Sequence, residues 1–189
     1  MEEFTMHPLV EMRDVWTLDD LDTLDVEDRH RYEIVDGALV VSPTPGLRHE
    51  FAIGFLARML TRAAPEDLIV LAGNAGISIG ASYRVADLLV VPDDARSRTA
   101  RALEPREVWL AVEVVSTGSV TTDRITKPAQ YAAAGIPNFW RVETDPLGIT
   151  ACRLDAGAGV YTEIGSWAPG ETARIAEPFP VEIEVDRLG

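Results

Sequence analysis

The sequence predicts a mixed α/β fold of the α+β type, with a sheet of mixed strand direction and helices packed against it. Three observations carry that expectation. Two apolar runs flank Asp36-Gly37, the signature of a tight hairpin. Apolar residues recur at helical spacing across residues 47–63. A nearly continuous apolar run at residues 108–115 precedes a second helical stretch and a further strand. Strands alternating with helices in this way bury their apolar faces as a sheet covered by helices.

The elements follow in order. Residues 1–15 read as a loosely held arm. Thr17 is suited to cap a short helix, with Asp19 and Asp20 in its first turn. The acidic stretch 19–28 reads as a solvated helix face and loop. Residues 32–41 form the hairpin, because Asp36 and Gly37 tolerate the positive φ angles of a type I′ turn. Ser42-Pro43-Thr44-Pro45-Gly46 is a loop. The helix over residues 47–63 carries Phe51, Phe55, Leu56, Met59 and Leu60 as its apolar recurrences, and Pro65 closes it. Residues 68–71 and 75–79 are short strands around a turn at Gly73. Residues 83–91 read as one longer strand ended by Pro92-Asp93-Asp94. Residues 96–106 are polar, a loop or short helix. Residues 108–115 suit a central strand covered on both faces. A helix spans 121–134, with Gly135 as its C-terminal cap and Pro137 beyond. Residues 139–142, 149–154, 160–164 and 181–185 are further strands. Together these give a single domain, 1–189, with a core at 16–145 and a β-rich C-terminal extension at 146–189.

Composition narrows the function classes. A chain of 189 residues can bury a real core. No apolar run reaches the roughly 18 residues of a membrane span. The first ten residues include Glu2 and Glu3 and do not read as a secretory signal. The single cysteine, Cys152, excludes an intramolecular disulfide and a cysteine-based zinc cluster, so a reducing cytoplasm is the default compartment. The net charge of −14 argues against tight non-specific DNA binding, which draws its affinity from Lys and Arg displacing phosphate counterions. That charge is neutral on metal chemistry, because a bound cation inverts the local field. Of 17 basic residues, 16 are arginine and one is Lys127. The lone lysine is either chance or a position where a guanidinium cannot replace a compact ammonium.

Two carboxylates interrupt apolar strands: Asp87 within residues 85–91 and Glu113 within residues 110–115. A buried carboxylate is costly unless it is paired, protonated or metal-bound. For each acid alone, a structural pair with an arginine such as Arg84 or Arg141, or an outward orientation, explains it at least as well. The combination with Lys127, on the helix after Glu113, points further. A hard cation such as Mg²⁺ or Mn²⁺ takes carboxylate oxygens and water and leaves room for a phosphate. A nearby ammonium can orient the attacking water and stabilise charge in the transition state.

The sequence also resembles the Uma-two family of restriction-endonuclease-like proteins, in the PD-(D/E)XK nuclease-like superfamily. The resemblance is carried by Tyr32-Glu33-Ile34-Val35-Asp36-Gly37 and by Ser42-Pro43-Thr44-Pro45 followed by His49. It continues through Arg84-Val85-Ala86-Asp87-Leu88-Leu89-Val90-Val91 and Val112-Glu113-Val114-Val115-Ser116. It ends with Asp123-Arg124, Lys127 and Tyr131 through Trp140. The resemblance implies a restriction-endonuclease-like fold, a divalent metal at Asp87 and Glu113, and Glu33 pointing at the same site. It implies an Mg²⁺- or Mn²⁺-dependent endonuclease acting on nucleic acid, DNA before RNA. Val115 stands where the superfamily usually has its lysine, and the resemblance implies that Lys127 takes that role from the following helix. Ala86 replaces the proline before the first acid.

Other residues have quieter readings. His49 is either a phosphate contact or, more simply, a partly exposed capping residue. Gln130 and Tyr131 are candidates to line the cleft, with a core position the equal alternative for Tyr131. Asp123 is an i,i+4 partner of Lys127. Trp109, Phe139 and Trp140 read as core, and Cys152 as a small buried hydrophobe. The alternative function is a catalytically idle nuclease-fold protein that binds or regulates. A homodimer is the expected assembly, since symmetric dimers are the commonest.

Overall fold

The computed structural model describes residues 14–24, 30–73, 75–97, 100–116 and 118–189. Most of the expected arm and part of the acidic stretch therefore lie outside the described residues. The short helix α1 (Leu18–Leu21) follows Thr17, whose N–H and hydroxyl both donate to the Asp20 carboxylate. β1 (Arg31–Val35) and β2 (Ala38–Ser42) form the hairpin. Its turn has Asp36 at φ 51° and Gly37 at φ 83°, the left-handed pair a type I′ turn requires.

α2 (Leu47–Ala63) has the expected bounds but a shifted inner face. His49, Ala52, Ile53, Leu56 and Leu60 are buried, whereas Phe51 is 68% exposed. Two residues along a helix is a rotation of about 200°, so Phe51 faces away from the stripe that contains His49 and Ile53. β3 (Leu68–Ala72) and β4 (Gly76–Ile79) do not pair with each other across Gly73; they join different sheets. The expected single strand over 83–91 is likewise two. β5 (Ser82–Val85) belongs with the hairpin, β6 (Leu88–Pro92) with the large sheet, and Ala86 and Asp87 connect them. Apolar residues run from Val85 to Val91 with only Asp87 between them, because both halves are buried, so nothing local marks the change of sheet.

β7 (Leu110–Val115) is buried along its whole length. It lies between β6, antiparallel, and β8 (Asn138–Thr144), parallel. The connection from β7 to β8 is helical, as a parallel pair needs. That helix is not uniform. Residues 122–126 form a widened π turn, in which the Lys127 N–H donates to the Thr122 carbonyl, and α3 (Lys127–Ala133) follows. Pro128 explains the irregularity: it has no N–H for the carbonyl four residues back. Gly135, at φ 85°, ends the helix as expected.

β9 (Leu147–Asp155) and β10 (Val160–Trp167) extend the large sheet, whose order is β10-β9-β8-β7-β6-β3. The smaller sheet runs β2-β1-β5-β4, and β11 (Thr172–Ile175) with β12 (Val181–Glu184) makes a separate hairpin. β11 carried no expectation from the sequence. Alternate residues of β6 and β7 face two cores. Leu88, Val90, Leu110, Val112 and Val114 pack with α2 and with the β11–β12 hairpin. Leu89, Val91 and Ala111 pack on the other side with Tyr131, Ile136 and Phe139. Each fully buried leucine on these faces contributes roughly 1.5–3 kcal/mol.

Phe139 and Trp140 are core, and Cys152 is half-buried against the Tyr131 side. Trp109 is not core; it is 44% exposed, because the ladder begins at Leu110 and leaves the indole at the rim. Among the described residues, no helix is long and apolar enough to cross a membrane. The architecture is the mixed α+β fold expected, with the hairpin at its N-terminal end and β-strands filling its C-terminal third.

Candidate active site

The junction of the two sheets positions the first acid. After β5 the chain leaves one ladder and enters another, so Asp87 sits at a break rather than inside a strand, and the Gly73 N–H donates to its carbonyl at 3.0 Å. β7 runs on past its last pairing with β6, Val112 opposite Leu88. The Val114 N–H beyond that point donates instead to Asp87 Oδ2, at 2.7 Å. Arg31 Nη2 donates to Oδ1 at 2.7 Å, and His49 Nε2 lies 3.2 Å from Oδ2. The carboxylate is 1% exposed. Burial on its own would raise its pKa. The His49 hydrogen bond and the charges of Arg31, His49 and Lys127 prevail and bring it down to about 2.

Glu113 sits mid-strand on the side facing α3 and is fully buried. Lys127 Nζ donates to its Oε2 at 2.9 Å, and the Tyr131 hydroxyl donates to Oε1 at 2.7 Å. Burial pushes the Glu113 carboxyl up to about 8, against the pull of Lys127 and with the repulsion of Asp87 and Asp123 added. Lys127 moves the opposite way from what its burial favours. Burial lowers its pKa, but Glu113, Glu33, Asp123 and Asp87 together hold it above the ordinary lysine value. Of the two, Lys127 keeps its proton more firmly, because three further carboxylates face it.

Lys127 has three N–H donors. One goes to Glu113 and one to the Val85 carbonyl at 2.8 Å. The third faces Glu33 and Asp123 at 3.6 and 3.8 Å, longer than hydrogen bonds. Glu33 reaches in from β1, where its Oε1 accepts the Val85 N–H at 2.8 Å. Its other oxygen lies 3.6 Å from Arg84 Nη1. Val85, the last residue of β5, thus has its N–H and C=O taken up by Glu33 and Lys127. Such pairing satisfies backbone groups that would otherwise be buried without partners.

Above this cluster opens a cleft of about 480 Å³, walled by the β1–β2 hairpin, the start of α2 and the π turn. Arg31, Glu33, His49, Arg84, Asp123 and Lys127 line it, while Asp87 and Glu113 lie beneath. Four nitrogen-bearing side chains, from β1, α2, β5 and α3, thus share the cleft with the carboxylates of Glu33 and Asp123.

Several expectations change here. His49 is buried on Asp87 rather than a partly exposed cap, because its helix presents that face inward. Tyr131 and Gln130 do not line the cleft. Tyr131 is fully buried under Glu113, and Gln130 Oε1 accepts Arg84 Nε at 2.7 Å behind the lysine. Neither arginine offered as a partner for the two acids serves them. Arg84 faces Glu33, and Arg141 faces Glu143 at 3.1 Å. The partner of Asp87 is Arg31, which the sequence reading missed. Its signal was the strand period: Arg31 and Glu33 are two apart on β1 and share a face.

Among the described residues, no three His, Cys, Asp or Glu side chains are grouped to hold a metal. That arrangement does not suit a closed zinc site, which takes four protein ligands. Mg²⁺ keeps several waters and needs only one or two carboxylates, so Asp87 and Glu113 are the residues that would hold it.

Comparisons with known proteins bear on the fold and on the family separately. A comparison with curated proteins gives no match. Among solved structures the chain is similar to a protein from Anabaena variabilis ATCC 29413, described as a "putative nuclease belonging to DUF820". The TM-score is 0.66 at 15% identity, over 92% of this chain and 97% of the other, which establishes a shared fold. The Uma2 family model, described as "Putative restriction endonuclease", matches residues 18–187. The match spans both sheets and every residue of the cleft, and the chain belongs to the Uma2 family.

Proposed function

We propose that the protein is a divalent-metal-dependent endonuclease that hydrolyses phosphodiester bonds, with DNA the first substrate to test. One observation carries the reading: two buried acids, Asp87 and Glu113, flank the Val114 peptide at the floor of a cleft lined by Lys127. Asp87 and Glu113 would hold Mg²⁺ or Mn²⁺. The bound ion would polarise the phosphoryl oxygen and lower the pKa of a water.

The chain's own residues supply the rest. Lys127 keeps a charged ammonium at the cleft floor, anchored by Glu113 and the Val85 carbonyl, and its third N–H is the one available to a phosphate oxygen or an attacking water. Glu33 fixes Val85 and adds the negative charge that keeps Lys127 protonated. Tyr131 holds the Glu113 carboxylate in orientation. Arg84 and His49 add donors to the wall, which offsets the repulsion that a charge of −14 exerts on phosphate.

A second reading is an idle nuclease fold that binds or regulates. It is favoured by the saturation of both acids with protein donors: Arg31, His49 and the Val114 N–H on Asp87, and Lys127 and Tyr131 on Glu113. A cleavage assay on single- and double-stranded DNA and RNA with Mg²⁺ or Mn²⁺, beside a calorimetric metal titration, separates the two. Wild type that cleaves, with Asp87→Ala losing metal and activity together, supports the nuclease. Wild type that binds metal but cleaves none of these substrates supports the binding protein.

A further inference from the structure

Arg31 differs from the other cations of the cleft. Lys127 is 2% exposed and faces three carboxylates and a carbonyl. Arg84 is 3% exposed and is held by Gln130 and Glu33. Arg31 is 18% exposed, opens β1, and lines the cleft. Its hydrogen bond among the described residues is to Asp87 Oδ1, the one oxygen of that carboxylate not already taken by His49 and the Val114 N–H.

We propose that Arg31 is the internal counter-cation of Asp87, displaced when a divalent cation takes that carboxylate, and that the displaced guanidinium then holds a phosphate in the cleft. This rests on the metal-site reading above. The physical argument is competition for one oxygen. A buried carboxylate without a cation is costly, so the metal-free protein needs Arg31 where it stands. A divalent ion on Oδ1 removes that need and repels the guanidinium. Arg31 is the cleft cation with an outward path, because its side chain already reaches solvent. Its planar fork matches two phosphate oxygens, a geometry that an ammonium does not offer. The exchange moves positive charge onto the substrate at the moment the metal arrives, which suits a chain otherwise repelled by phosphate.

The test uses the full chain. Mn²⁺ is titrated calorimetrically into wild type and Arg31→Met, and thymidine 5′-monophosphate is then titrated into each Mn²⁺-loaded protein. The expected result is roughly tenfold tighter Mn²⁺ binding by Arg31→Met, with nucleotide binding weakened by a similar factor. Equal Mn²⁺ affinity in the two proteins overturns the exchange and leaves the metal site standing. Absence of Mn²⁺ binding in both overturns the metal site and the exchange with it. Tighter Mn²⁺ binding without loss of nucleotide affinity overturns the phosphate-holding role. If Arg31→Met does not fold, wild-type crystals soaked in Mn²⁺ decide: Arg31 Nη2 remaining within about 3 Å of Asp87 overturns the proposal, and Arg31 turned into the cleft supports it.

Discussion

The backbone N–H of Val114 donates to Asp87 Oδ2 at 2.7 Å, which ties the first acid to the peptide that follows the second. The bond exists because β7 outruns its ladder with β6 and Asp87 fills the gap. Asp87 and Glu113 are 26 positions apart in sequence and are brought together where the β6–β7 ladder ends, with Leu88 opposite Val112. The consequences can be measured.

Lys127→Met removes the ammonium and keeps most of the side-chain volume. Cleavage should fall about a hundred- to a thousandfold, the usual effect of losing one charge-stabilising donor. Glu113, Glu33 and Asp123 then lose their shared cation, and stability should fall by about 3–5 kcal/mol, read from urea unfolding. Mn²⁺ affinity should stay near wild type, because the lysine is not a ligand. Lys127→Arg should also be impaired, since a guanidinium does not fit the space between Glu113 and the Val85 carbonyl. Unchanged cleavage by Lys127→Met would reject the assigned role.

Tyr131→Phe deletes one donor to a fully buried carboxylate and leaves the ring packed beside Phe139. The expected cost is about 1–3 kcal/mol, because a buried Glu113 oxygen is left without its partner. A denaturation midpoint equal to wild type would mean that the hydroxyl contributes nothing to holding Glu113.

Metal should stabilise the folded chain. At a hundredfold excess over its dissociation constant, Mg²⁺ should add about 2.7 kcal/mol to unfolding, since the unfolded chain has no such site. Thermal melts with and without Mg²⁺ read this directly. Asp87→Ala should melt identically in both conditions; a metal-dependent shift retained in that variant would place the ion elsewhere.

Gly76→Ala should destabilise the smaller sheet although Gly76 lies away from the cleft. A Cβ there would come within 2.0 Å of the Tyr83 ring, which covers the glycine from β5. Displacing the ring should cost roughly 1–3 kcal/mol. Gly54→Ala is the control, since a Cβ at Gly54 meets nothing within 4 Å. Equal losses in the two variants would contradict the Tyr83 packing.

The sequence by itself determined the hairpin, α2 from Leu47 to Ala63, the buried central strand and, β11 apart, the strands that follow. Each is set by local physics: the φ preference of Asp36-Gly37, the 3.6-residue apolar stripe, and apolar cover on both faces. It also singled out Asp87 and Glu113, because charge inside apolar runs is visible without coordinates, and Lys127 as the one lysine; Glu33 came from the family resemblance. Tertiary structure decided the rest. The division of residues 83–91 between two sheets was hidden, since alternation reports which face a residue occupies and not which ladder it joins. The widened turn before Lys127 was signalled only by Pro128. The partners of Asp87 lie 56 and 38 residues away, at Arg31 and His49. A buried charge states that it needs a partner; which side chain meets that need depends on elements the chain brings together only by folding.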